Sequence, residues 1–300
     1  MKRCVLWVAK LPFSSVFTRA GIKKFCIFAP MNRRTLLITL FLLAIILNSC
    51  KFQKSLKNPD LETKYQSALK YYNEKDYSRA LQLFDQIMGV IRTTDKAEDT
   101  YYYYAYCYYN QKDYTLASYY FKRFYSNFPN AARAEECLFM SAYCNYLNSP
   151  EFSLDQTSTY EAIKELQLFI NFYPKSNRVS ECNDLIDKLR TKLEYKDYRI
   201  AKLYAKMGDY LAAITCFNNI LKDYPETPHK EEILFQILKT SYKYSKESIE
   251  SKKKDRYQKT VLAYKELIRE FPESQYLKEA TLIHDASLKE LQHLELLLVL

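Results

Sequence analysis

The chain has 300 residues, enough to bury one large core or two ordinary ones without disulfide staples. Only three glycines occur (Gly21, Gly89, Gly208), which excludes a glycine-rich phosphate loop, a dinucleotide fingerprint and a turn-rich all-β fold. The three scattered histidines (His229, His284, His293) match no zinc or nucleophile spacing, so no catalytic residue, metal or cofactor is expected. The net charge of +10 is local: residues 1–49 hold eight basic side chains and no acidic one, leaving 37 basic against 35 acidic residues in the body, which disfavours a nucleic-acid partner.

The first element in chain order reads as an address. Asn32, Arg33 and Arg34 precede thirteen uncharged residues, Thr35 to Leu47, and then Asn48, Ser49 and Cys50. A basic segment, a short apolar segment and small residues before a boundary are the parts of a secretory signal. At ~1.5 Å per residue the apolar run reaches about 20 Å, short of the ~30 Å hydrocarbon core, so it is a poor membrane span. Leu47-Asn48-Ser49-Cys50 resembles the bacterial lipobox, which implies cleavage before Cys50 and its lipidation. Met31 is a better start than Met1, so residues 1–30 are read as a mis-assigned start. The organisation expected is residues 1–49 as leader and signal, 50–60 as a lipid-anchored linker, then repeats over 61–178 and over 179–300.

Through the body one pattern recurs. Asp76-Tyr77 with Ala80, Phe84 and Ile87 returns as Asp113-Tyr114 with Ala117, Phe121 and Phe124, and as Asp209-Tyr210 with Ala213, Phe217 and Ile220. Two degenerate copies carry Ala162, Leu166 and Phe169, and Thr260, Tyr264 and Leu267. Upstream stand a small residue and a tyrosine: Ala68 and Tyr71, Ala105 and Tyr108, Ala201 and Tyr204. Pro129, Pro174, Pro225 and Pro272 close four copies and are expected in the first turn of the next helix. The pattern resembles the tetratricopeptide repeat, which implies an all-α solenoid of about five helix-turn-helix units starting near Leu61, Asp99, Ala134, Glu194 and Ile233. Spacing departs from the ideal in the third unit, around Asn148 to Gln156, and in the fifth, at Ser248 to Gln258. An extra helical piece, Ser180 to Lys192, precedes the fourth.

A lipoprotein signal, about five units, an enlarged third turn and the closing Phe271-Pro272-Glu273-Ser274-Gln275-Tyr276 together resemble the tetratricopeptide lipoproteins of the outer-membrane β-barrel assembly machinery, the BamD family. That resemblance implies a non-enzymatic, lipid-anchored scaffold on the periplasmic face of the outer membrane. Its implied partners are unfolded outer-membrane proteins and the periplasmic domains of the barrel-forming subunit. In the family, basic residues near the turn after the fourth unit contact that subunit; Lys222 matches one, and the other falls on Glu231 with Lys230 adjacent. Another periplasmic repeat lipoprotein, serving envelope division or polysaccharide uptake, is the alternative of the same fold, and an enzyme with a repeat domain is the alternative of a different class.

In a tetratricopeptide hairpin the first helix lines the concave face with residues three before, one after and four after its small residue. These are Tyr65, Leu69 and Tyr72, then Tyr102, Tyr106 and Tyr109, then Phe139, Tyr143 and Tyr146; in the fourth unit, Tyr198, Lys202 and Ala205 end the aromatic run. The seven tyrosines are the expected peptide-binding residues, with packing between hairpins as the competing reading of each. Cys107, Cys137, Cys144, Cys182 and Cys216 are odd in number and are expected to be small core residues.

Overall fold

The computed structural model describes residues 51–297, so the leader, the signal and Cys50 lie outside the described residues. Residues 51–57 are helical and lie outside the compact unit that begins at Asn58. The body is helical throughout its regular structure: α1 (Leu61–Asn73), α2 (Tyr77–Met88), a 3-10 turn (Ile91–Thr93), α3 (Ala97–Asn110), α4 (Tyr114–Asn127), α5 (Ala134–Asn148), α6 (Thr157–Phe172), α7 (Val179–Met207), α8 (Tyr210–Asp223), α9 (Lys230–Lys246), α10 (Glu250–Glu270) and α11 (Leu277–Leu297). Each helix packs on the next, and first helices of neighbouring hairpins also meet, α1 on α3 and α9 on α11. None of the described helices is long and apolar enough to cross a membrane.

Local chemistry explains the hairpins. The aspartate of each Asp-Tyr pair is an N-cap whose carboxylate accepts the N–H of the third residue on: Asp76 from Arg79 at 3.2 Å, Asp113 from Leu116 at 3.1 Å, Asp209 from Ala212 at 3.2 Å. The preceding residue turns the chain with positive φ: Lys75 at 61°, Lys112 at 63°, Gly208 at 87°. In that turn the aspartate N–H returns to the tyrosine carbonyl five residues back, Tyr71, Tyr108 or Tyr204, satisfying a carbonyl at the helix end. The small repeat residues Ala68, Ala80, Ala105, Ala117, Ala142, Ala162, Ala201 and Ala213 are all fully buried, as close helix approach requires.

Two core clusters follow. The first joins α3 to α7 through Tyr101, Phe121, Phe124, Leu166, Phe169 and Leu189; the second joins α7 to α11 through Phe217, Ile220, Ile233, Leu238 and Leu267. Burying each such side chain contributes about 1.5–3 kcal/mol.

Two expectations need correction. The prolines stand not in the first turn of the next helix but just after the caps Phe128, Tyr173, Tyr224 and Phe271, five residues before that helix begins. Lacking an N–H, they stop the preceding helix. The expected extra piece, Ser180 to Lys192, is helical, but the unit start near Glu194 begins no new helix: α7 runs 29 residues without a proline or glycine until Gly208 ends it. The enlarged third turn is a loop over 149–156, and the added length of the fifth unit falls mostly in α10.

Candidate functional site

The aromatic rows stand on α1, α3 and α5, and the structure divides them. Tyr65 is only 4% exposed, and its hydroxyl donates to Asp99 at 3.3 Å. One repeat on, Tyr102 and Tyr106 both donate to the same Glu136 oxygen, Tyr102 at 3.1 Å. The Arg133 guanidinium lies 4.4 Å over the Tyr102 ring and pairs with Asp99. In α7, Tyr198 donates to Glu232, the same 34-residue step as Tyr65 to Asp99 and Tyr102 to Glu136.

These tyrosines are therefore rungs of a ladder that joins α1 to α3, α3 to α5 and α7 to α9, the packing role that competes with peptide binding for Tyr65, Tyr102 and Tyr106. Asp99, Glu136 and Glu232 lie in the first turn or so of a helix, where the helix dipole also favours negative charge. The phenols feel both burial and anion. Burial, then the Asp99 carboxylate, raises Tyr65; burial, then Glu136, pushes Tyr102 up to about 12; burial and the hydrogen bond to Glu136 raise Tyr106.

The other four differ. Tyr109, Tyr143 and Tyr146 are half-buried against the first core cluster, and their hydroxyls have no hydrogen-bond partner among the described residues. Tyr143 stacks between Phe139 at 5.8 Å and Tyr146 at 5.9 Å, and Phe139 itself is buried under Arg178 at 4.3 Å. Burial raises Tyr109 and Tyr143, and the neighbouring Tyr143 phenol adds to the shift of Tyr109. Tyr72 sits apart from these, edge-on to Tyr103 at 4.9 Å and Tyr77 at 5.7 Å, with burial pushing it up to about 12. The structure thus brings together an apolar aromatic strip on α3 and α5 whose free polar atoms are phenols.

Beyond α5 the same rows open into a groove of about 870 Å³ on α7 and the start of α9, bordered by Lys188, Tyr195, Tyr198, Arg199, Lys202 and His229. Arg199 donates to the Tyr195 hydroxyl at 2.8 Å, and Phe152 of the 149–156 loop meets Tyr195 edge-on at 4.8 Å. In the sequence the aromatic run ends here, and the signal of the groove is the basic residues at helical spacing, Lys188, Lys192, Arg199 and Lys202.

A second set of contacts joins the turns to the helices before them. Ser176 Oγ donates to Glu135 at 2.6 Å, Thr227 to buried Glu194, and Ser274 to Glu231 at 2.7 Å. The hydroxyl two residues after Pro174, Pro225 and Pro272 thus latches the turn onto the preceding unit, whereas Ala131 stands at that place after Pro129. Of the expected docking pair, Lys222 is exposed in the last turn of α8, whereas Lys230 is paired with Glu270 at 2.8 Å. Cys107, Cys137, Cys144 and Cys182 are buried free thiols and Cys216 is partly exposed; burial pushes Cys144 up to about 12 and Cys182 up to about 11. Among the described residues no group of three His, Cys, Asp or Glu side chains could hold a metal ion.

Comparison with known proteins adds the lineage. Outer membrane protein assembly factor BamD of Caulobacter vibrioides is 30% identical over 84 residues, and the match spans 28% of this chain and 28% of that protein. Among solved structures, the TPR2AB domain of yeast Sti1, in its complex with pHSP90, is 9% identical with a TM-score of 0.36, covering 76% of this chain and 98% of that one. The C-terminal part of a TPR repeat-containing protein from Cytophaga hutchinsonii is 14% identical with a TM-score of 0.27, covering 77% and 95%. The profile of a family described as YfiO, outer membrane lipoprotein, matches residues 58–256, most of the chain, and the protein belongs to that family.

Proposed function

We propose that the protein is a non-enzymatic scaffold of outer-membrane protein assembly, held by lipid on Cys50 at the periplasmic face of the outer membrane. The observation that carries the client-binding part is the split within the tyrosine rows: Tyr109, Tyr143 and Tyr146 present rings without a bonded hydroxyl, while Tyr65, Tyr102 and Tyr106 hold the frame beneath them. An unfolded outer-membrane protein ends in a strand of alternating aromatic residues. Such a strand suits an aromatic strip, each aromatic pair adding ~0.5–1.5 kcal/mol beyond area burial. Residues 61–178 are the client-binding half and residues 179–300 the half that docks on the periplasmic domains of the barrel-forming subunit, with Lys222 and Lys230 at the contact.

Depleting the protein from its own cells tests this reading. Folded outer-membrane barrels should fall while their unfolded precursors accumulate, and the barrel-forming subunit should co-purify with the lipidated chain. Normal barrel levels after depletion, or a mature chain that still contains Leu47, would contradict it. Lys222→Glu with Lys230→Glu should lower the yield of the barrel-forming subunit mainly by repulsion, since an exposed pair is worth only ~0.2–1 kcal/mol.

A further inference from the structure

The long helix α7 carries one apolar stripe from end to end, and only half of it is covered. Cys182, Leu185, Ile186, Leu189 and Leu193 recur at steps of three and four and are buried, the first four in the cluster shared with α5 and α6. Continuing the same spacing brings Lys196, Ile200, Leu203, Tyr204 and Met207 to that face. Here the cover stops: Ile200 is 37% exposed, Leu203 54%, Tyr204 36% and Met207 70%. The boundary is built. Lys192 donates to Ser149 and, at 2.8 Å, to the Pro150 carbonyl, and Lys196 donates to the Leu154 carbonyl at 2.5 Å, fastening the 149–156 loop across the helix where the covered half ends.

The second half of α7 packs on α8 with a different face, through buried Ala201, while buried Glu194 accepts from Thr227 in the turn before α9, so the uncovered stripe is not needed for the second core. From Ile200 to Met207 the stripe runs ~10 Å, about two helical turns. Its flank is basic: among the described residues no carboxylate forms an ion pair with Lys192, Lys196, Arg199 or Lys206. The opposite edge is acidic: Asp197, whose carboxyl burial pushes up and which accepts from Tyr224 at 3.3 Å, also feels the charge of Asp223.

We propose that the uncovered stripe of α7 is a docking site for an amphipathic helix of another protein, with acidic residues along one flank. Continuity with a face that this chain already buries under its own helices argues for a helix as occupant. Charge argues for the acidic flank. It also argues against antiparallel pairing with a second copy of the chain, which would set one Arg199–Lys206 flank against the other. The surface is independent of the client-binding reading, since none of its residues belongs to the tyrosine strip or to the Lys222 surface.

Photocrosslinking tests it in the full chain in its own membranes, with benzoylphenylalanine replacing Leu203 or Met207 and mass spectrometry identifying the crosslinked segment. The expected product is a segment of another protein with apolar residues at steps of three and four and acidic residues on one side. Arg199→Glu with Lys206→Glu should lower that product about fivefold or more while helical circular dichroism is unchanged, because all the residues altered are exposed. Four results would overturn the proposal: no crosslink, a crosslink only to a second copy or to lipid, a segment without an acidic amphipathic pattern, or a yield indifferent to the charge reversal.

Discussion

Replacing Tyr102 and Tyr106 together by phenylalanine separates the ladder from the binding strip. Each phenol donates to the Glu136 carboxylate, and the variant deletes both donors while keeping the rings, the Arg133 stack and the volume. A hydrogen bond to a charged acceptor contributes ~1.5–3 kcal/mol when buried. Both tyrosines are half-exposed, so water replaces part of each bond, and about 2–3 kcal/mol is expected for the pair. For a body of this size ~1 kcal/mol moves the melting temperature by about 2–4 °C, so a fall of roughly 5–10 °C should appear in thermal unfolding followed by circular dichroism. Glu136→Gln, which keeps an oxygen acceptor but no charge, should fall between wild type and the double variant. Binding of an aromatic client peptide should survive both changes. A melting temperature unchanged by the double variant would refute the ladder, and lost binding in a folded variant would return Tyr102 and Tyr106 to the binding surface.

The turn residues predict opposite signs for one class of change: Lys112→Gly, relieving a positive φ, should stabilise by about 0.5–1 kcal/mol in urea titration, and Gly208→Ala should destabilise by about 1 kcal/mol. Thr100 Oγ1 is buried without a hydrogen-bond partner, so Thr100→Val should stabilise by about 1 kcal/mol in the same titration. Stability should be insensitive to these phenols below pH ~10 and should fall as pH rises toward 12, because Tyr72 and Tyr102 hold their protons to about 12 when folded and lose them near 10 when unfolded; urea midpoints from pH 9 to 12 check it. Timed alkylation read by mass spectrometry should modify Cys216 before Cys107, Cys137, Cys144 and Cys182.

What was legible in the sequence was whatever repeats with a physical period. Alanines twelve residues apart must meet across a hairpin, and Asp before Tyr before an apolar run marks a capped helix, so the hairpins, their turns and the long third loop could be read directly. The ladder could not, because Asp99 and Glu136 look like ordinary first-turn acids until the stacking of hairpins brings each onto the hydroxyl of a tyrosine 34 residues earlier in the chain. Position in the hairpin predicts which way Tyr65 and Tyr143 point, but not that one hydroxyl meets a carboxylate and the other does not. The same limit hid the uncovered half of α7: its spacing is that of the covered half, and only tertiary packing tells Leu189 from Leu203.

The most direct test of the binding account is titration of a fluorescent peptide, matching the aromatic C-terminal strand of an outer-membrane barrel, against wild type and the triple variant Tyr109→Ser, Tyr143→Ser and Tyr146→Ser. Loss of binding by at least about tenfold, with the ladder intact and helical circular dichroism retained, is the result expected if each ring contributes on the scale of an aromatic pair. A folded triple variant that binds the peptide as wild type does would contradict the assignment of these three tyrosines as the client surface.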